Sequence, residues 1–167
     1  AVLPLVGGSN MQLMKAESPG PSVGKLVPKV RFTARILYVL YVALTLLQVL
    51  VMLMGGMTLY EALCTSFGTA GTGGFGIYGD SIARFSPFLQ WAITVFMIAF
   101  GVNFNVYFLL YMRRPKDALH CEEMHWYLGI IAAAALLICA NAYDVTLTLE
   151  NNLRQSFFQV ASIITTT

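Results

Sequence analysis

The sequence predicts an all-α integral membrane protein whose transmembrane helices are joined by a re-entrant half-helix and loop. Three observations carry this. Only 11% of the 167 residues are charged and 57% are hydrophobic, whereas a soluble domain is about 25% charged; mean hydropathy is +0.70. The charged residues leave three long uncharged runs, and six of the fourteen glycines fall between positions 68 and 79. Aromatic residues at 13% exclude a disordered chain, and a net charge of +2 gives no footprint for nucleic acid.

Residues 1–14 are apolar but too short to span a bilayer and contain Pro4. They read as the tail of an earlier element in a longer chain, followed by a turn at 17–21 (Glu-Ser-Pro-Gly-Pro) and a basic collar over 27–35. The first span is residues 36–54, which as a helix is about 28 Å long against ~30 Å of hydrocarbon. Residues 85–112 and 124–143 are the other uncharged runs, each read as a spanning helix. Lys15, Lys25, Lys29, Arg31 and Arg35 precede the first span, and Arg113, Arg114 and Lys116 separate the second from the third. The positive-inside rule places these basic loops in the cytoplasm.

Residues 55–87 therefore lie at the outer face. Thr58-Leu-Tyr-Glu61 has the form of a capping box, in which two side chains satisfy backbone donors at a helix start. The helix it opens, roughly 59–69, is about 16 Å long, half a bilayer. It carries no charge after Glu61, so it suits neither water nor a full crossing. Glycines follow at 68, 71, 73, 74, 76 and 79. Irregular backbone at membrane depth is tolerated only where protein or a wet cavity surrounds it.

The half-helix points its C-terminus, with about half a negative charge, toward the membrane centre, which favours a cation. Thr72-Gly73-Gly74-Phe75-Gly76 then offers successive carbonyl oxygens and one hydroxyl. Rings of such oxygens replace the hydration shell of K⁺ in selectivity filters, and this stretch matches Thr-Val-Gly-Tyr-Gly at four of five positions. Gly71, Gly73 and Gly76 also spell a dinucleotide fingerprint, but no acidic residue stands about 20 positions on, and a helix rather than a strand precedes them.

The same plan begins again after the third span. Residues 144–154 read as a polar outer stretch, residues 155–164 as a short apolar helix, and Thr165, Thr166 and Thr167 as the start of a second filter. Both ends look cut. Three segments result: 1–35, the end of a preceding unit with its basic linker; 36–114, a complete span–loop–span unit; and 115–167, a cytoplasmic turn, an outward span and a truncated half-helix.

On these residues the chain resembles the TrkH potassium-uptake proteins of the Trk/Ktr/HKT superfamily. The similar passages are residues 1–5, 12–21, 66–76, 101–105 and 158–167. The resemblance implies four tandem units around one K⁺ pathway in a bacterial inner membrane, with this chain holding the second unit and parts of its neighbours. Its partners would be the lipid bilayer, the remaining units of the polypeptide, a homodimer mate and a cytoplasmic nucleotide-binding subunit of the TrkA type. K⁺ would be cargo at the filter residues, with no cofactor in this chain.

Gly101, Asn103 and Asn105 fall inside the second uncharged run and read either as a pore-facing, flexible segment of the inner helix or as hydrogen-bonding contacts between helices. His120, Cys121, Glu122, Glu123 and His125 fit no common metal template, and Cys64, Cys121 and Cys139 match no redox spacing. Trp91 and Trp126 suit interface anchors, and Asp80 suits either a turn or a cation-attracting mouth. No paired carboxylates or nucleophile–base pair lies at membrane depth, so no enzyme is expected. A second transport reading is an alternating-access carrier with a discontinuous helix binding a cation or small substrate.

Overall fold

The computed structural model describes residues 30–112, 118, 120–141 and 148–167. Among these, six helices and no strand occur: α1 Val30–Met54, α2 Leu59–Ala70, α3 Pro87–Gly101, α4 Phe104–Tyr111, α5 Glu122–Asn141 and α6 Leu149–Thr165. The readings placed on residues 1–29, 113–117 and 142–147, with Lys15, Lys25, Lys29, Arg113, Arg114, Lys116 and Asp144 among them, lie outside the described residues.

Ala34–Met54 and Glu122–Asn141 are long and apolar enough to cross a membrane, and α3 with α4 would make a third span if taken together. Their apolar side chains face outward as well as inward: Leu50 is 58% exposed and Leu137 71%. An outward apolar surface of this kind is what a lipid-facing helix presents.

The second uncharged run is not one helix, which corrects the sequence reading. α3 starts at the Ser86 cap, whose hydroxyl accepts from the Leu89 amide, with Pro87 in the first turn. It stops at Gly101, and α4 begins behind a new cap, Asn103, whose Oδ1 accepts the Asn105 amide at 2.9 Å. An uncharged run records hydrophobicity but is blind to a cap inside it. The start of the last helix is corrected too: behind its Thr148 cap, α6 takes in Glu150 to Arg154, part of the polar outer stretch of the sequence reading.

The described chain divides into two compact units, with boundaries after Ala43, Val102 and Met124. In the unit of residues 103–124 with the first part of α1, Val106, Phe108 and Ala118 are buried, and Tyr41, Phe104 and Tyr107 stack in tilted ring pairs. In the unit of residues 44–102 and 125–167, α3 packs against α6 and α2. Its core joins Ile131 and Ala135 of α5 to Val160 of α6, with Ile98 and Phe157 against them. Both half-helices, α2 and α6, thus pack on α3.

Candidate ion-binding site

α2 begins as the sequence requires. Thr58 accepts the Glu61 amide, and the Glu61 carboxylate takes the Thr58 amide at 2.9 Å and its hydroxyl at 2.7 Å. The Tyr78 hydroxyl, from the loop beyond the glycines, donates to the same carboxylate at 2.6 Å. Hydrogen bonds from Tyr78 and then Thr58 hold Glu61 down to about 2, and the bond to Glu61 pushes the Tyr78 phenol up. The Arg84 guanidinium sits 3.9 Å above the Tyr78 ring, closing a clamp between the helix start and the return limb.

The C-terminal end of α2 is a Schellman closure. The Gly73 amide donates to the Gly68 carbonyl at 2.9 Å and the Thr72 amide to Thr69 at 3.1 Å. The residue this motif holds in the left-handed region is Thr72, at φ 49°. That conformation suits glycine; a β-branched residue there is a true outlier, costing about 1–3 kcal/mol.

α6 ends the same way. The Thr167 amide donates to the Ser162 carbonyl at 2.9 Å, the Thr166 amide donates to Ile163 at 3.3 Å, and Thr166 is left-handed at φ 57°. Thr165, buried in the last turn, donates its hydroxyl to the Ala161 carbonyl at 2.7 Å and lies 3.0 Å from the Thr167 hydroxyl. Thr72 and Thr166 are thus the same position of two copies of one device.

The two ends meet. A Cβ on Gly74, itself at φ 64°, would fall 2.5 Å from the Thr167 carbonyl carbon. Nearby, a cavity of about 150 Å³ is lined by Gly74, Phe75 and Gly76 on one side and by Ser162 and Thr167 on the other. Phe75 is 83% exposed. Two helix C-termini converging on one small space of mixed polar and apolar lining concentrate partial negative charge there, a setting that attracts a cation rather than an anion.

Of the inner-helix candidates, Gly101 is pressed by the Tyr127 hydroxyl and by Thr165, which a Cβ would meet at 2.2 and 2.9 Å. Tyr127 donates to the Ile98 carbonyl at 3.3 Å. Asn103 donates to Glu123 at 2.9 Å, which puts it beside the first turn of α5. Asn105 is half-buried beside it. No group of three metal-ligating side chains occurs among the described residues, and the three cysteines are free. Trp91 donates to Glu150 at 3.0 Å, whereas Trp126 is exposed.

Sequence reasoning missed Tyr78, Arg84 and Tyr127, which carry no local signature. It also missed Arg154, which is buried. For that residue a signal existed: Glu150 and Arg154 stand four apart, the spacing of a helical ion pair.

Comparison with known proteins fits this geometry. Residues 1–160 match the family model described as TrkH, cation transport protein. The chain is 35% identical to the Trk system potassium uptake protein TrkH of Salmonella typhimurium and 34% identical to that of Escherichia coli K12, in each case over 99% of its length. It spans about a third (35%) of those relatives' own length. It also superposes on the crystal structure of the potassium transporter TrkH from Vibrio parahaemolyticus with a TM-score of 0.73 at 25% identity, covering 84% of this chain and 31% of that one. Paired half-helices, glycine loop and matched sequence lead to one conclusion: the chain belongs to the TrkH family of membrane cation transport proteins.

Proposed function

We propose that this chain supplies part of a K⁺ permeation pathway across the membrane, as a piece of a Trk-type uptake protein. Thr72, Gly73, Gly74, Phe75 and Gly76 form one filter strand, and Thr165, Thr166 and Thr167 begin the next; their backbone oxygens and Thr hydroxyls take the place of the ion's water. The observation that carries this reading is the strained threonine at both half-helix ends. A fold keeps a costly residue at a cap where glycine would serve when that residue is used.

In this reading residues 36–114 are one complete span–loop–span unit, flanked by the end of a preceding unit in 1–35 and the start of another in 115–167. Gly101, Asn103 and Asn105 belong to the joint of the inner helix; the tight packing of Gly101 and the cap at Asn103 support a joint over direct ion contact. The basic loops are cytoplasmic and the membrane is the bacterial inner membrane. The remaining units of the polypeptide complete the ring, and a second copy and a TrkA-type subunit complete the assembly. The chain does transport and not catalysis, and K⁺ is cargo with no cofactor needed.

The test is uptake by the complete polypeptide in a host lacking K⁺ uptake. Gly74→Ser, which drives a side chain into the Thr167 backbone, is expected to weaken K⁺ over Na⁺ discrimination about tenfold, equal to ~1.4 kcal/mol. Unchanged discrimination would sink the reading, and dependence on an organic substrate would favour a carrier.

A further inference from the structure

A buried cation stands close to the cavity just described. Arg154 of α6 is 7% exposed, and all three of its guanidinium nitrogens are used. Nε donates to Gln90 at 2.9 Å, Nη1 donates to both Glu150 oxygens at 2.6 and 2.7 Å, and Nη2 donates to Asn151. Gln90 hands the connection on, because its amide nitrogen donates to the Phe85 carbonyl at 2.8 Å and to that of Ala83 at 3.3 Å. Glu150 is in turn held by the Trp91 indole. One continuous set of hydrogen bonds therefore ties the return limb of the glycine loop to the following half-helix, through α3.

Arg154 also lines a cavity of about 380 Å³ whose other walls include Asp80, Ser81, Ile82 and Phe158. The last three of these line the smaller cavity at Gly74 to Gly76 as well. A fixed positive charge so near a cation site would repel the ion if left alone. Its partner matters: Glu150 is itself half exposed, but removing it leaves the buried guanidinium without its counter-charge.

We propose that Arg154 and Glu150 act as a split pair of positioning residues for ion selection: Arg154 holds the return limb against the second half-helix, and Glu150 cancels the charge that this tie brings to the ion's entrance. The proposal rests on the K⁺-pathway reading. Arginine is needed for the tie because its planar fork reaches Gln90, Glu150 and Asn151 at once; a lysine ammonium keeps the charge without that fork.

The two roles separate in the complete polypeptide reconstituted in vesicles, with K⁺ flux measured against K⁺ concentration and against competing Na⁺, per correctly assembled protein. Glu150→Gln keeps the tie and bares the charge: the half-saturating K⁺ concentration rises several-fold, more at low ionic strength, with maximal flux kept. Arg154→Lys keeps the charges balanced and loses the tie: half-saturation stays near its original value while K⁺ over Na⁺ discrimination falls several-fold. Should Glu150→Gln fail to assemble, Trp91→Phe, which removes the indole donor from the Glu150 oxygen that Arg154 also binds and so loosens the carboxylate's placement, shifts half-saturation the same way by less. Lower yield or maximal flux in these variants with half-saturation and discrimination unchanged would mean a merely structural network and overturn the proposal. Absence of K⁺ flux in the unaltered protein would instead defeat the pathway reading itself.

Discussion

Among the described residues three helices finish with the same hydrogen-bond pattern, and they differ in the residue bent at the turn. At the end of α1 the Met57 amide donates to Met52 and the Gly56 amide to Leu53, with Gly56 at φ 93°. At the ends of α2 and α6 the equivalent residues are Thr72 and Thr166. The first solution is the inexpensive one, since glycine reaches this region freely and a Cβ at Gly56 would touch nothing. The fold therefore has access to an unstrained closure and uses it where a spanning helix merely has to stop. Threonine stands where the chain turns toward the shared cavity. The contrast sets apart the two ends at the shared cavity as the ones where strain is kept.

Exchanging residues between the two kinds of end tests that contrast most directly. Gly56→Thr imports the strain without the site. It is expected to cost about 1–3 kcal/mol, read as a lower melting temperature of the complete protein in detergent, with ion discrimination unchanged. Thr72→Gly does the reverse. It is expected to stabilise by about 1 kcal/mol in the same melting assay while weakening K⁺ over Na⁺ discrimination in flux measurements. A stabilised variant with full discrimination would remove the case for Thr72 as a filter residue.

The opposite end of α2 allows a finer comparison. Thr58→Ala removes the capping box and is expected to cost about 1 kcal/mol, measured by thermal melting, with discrimination little changed. The smallest effect is one of pH. Glu61 is lowered from 4.5 to about 2 by its bonds to Tyr78 and Thr58. The unfolded carboxylate is thus the better proton acceptor, so the stabilisation is fully present above 4.5 and fades as pH falls toward 2. A Glu61→Gln protein should lack this dependence, and the difference in melting temperature between the two proteins should narrow through that window.

Much of this was legible in the sequence because charge and hydrogen-bonding chemistry are local. The absence of charge from residues 36–54 and 124–143 marked two helices, and Thr58 and Glu61, three apart, marked the start of the half-helix. The clustered glycines marked the loop. What could not be read depends on contacts made across the fold. The break after Gly101 depends on an Asn103 cap whose other arm reaches Glu123. The first turn of α6 reads in sequence as part of a polar outer stretch because residues 150–152 and 154 are polar, yet Asn152 and Arg154 are buried. Their burial is explained by partners such as Gln90, 64 positions away. The left-handed threonines were hidden for another reason: local preference argues against β-branched residues there, and glycines adjoin Thr72 on either side.

The meeting of Gly74 with Thr167 also bears on how such a protein is made. The two residues are roughly ninety positions apart, and synthesis at 5–20 residues per second separates their emergence by about 5–20 s. During that interval the end of α2 has no counterpart to meet. The space shared by the two half-helix ends is therefore complete only once α6 has arrived. A substitution that slows the insertion of α5 or α6 can then delay this meeting without altering any atom at either half-helix end.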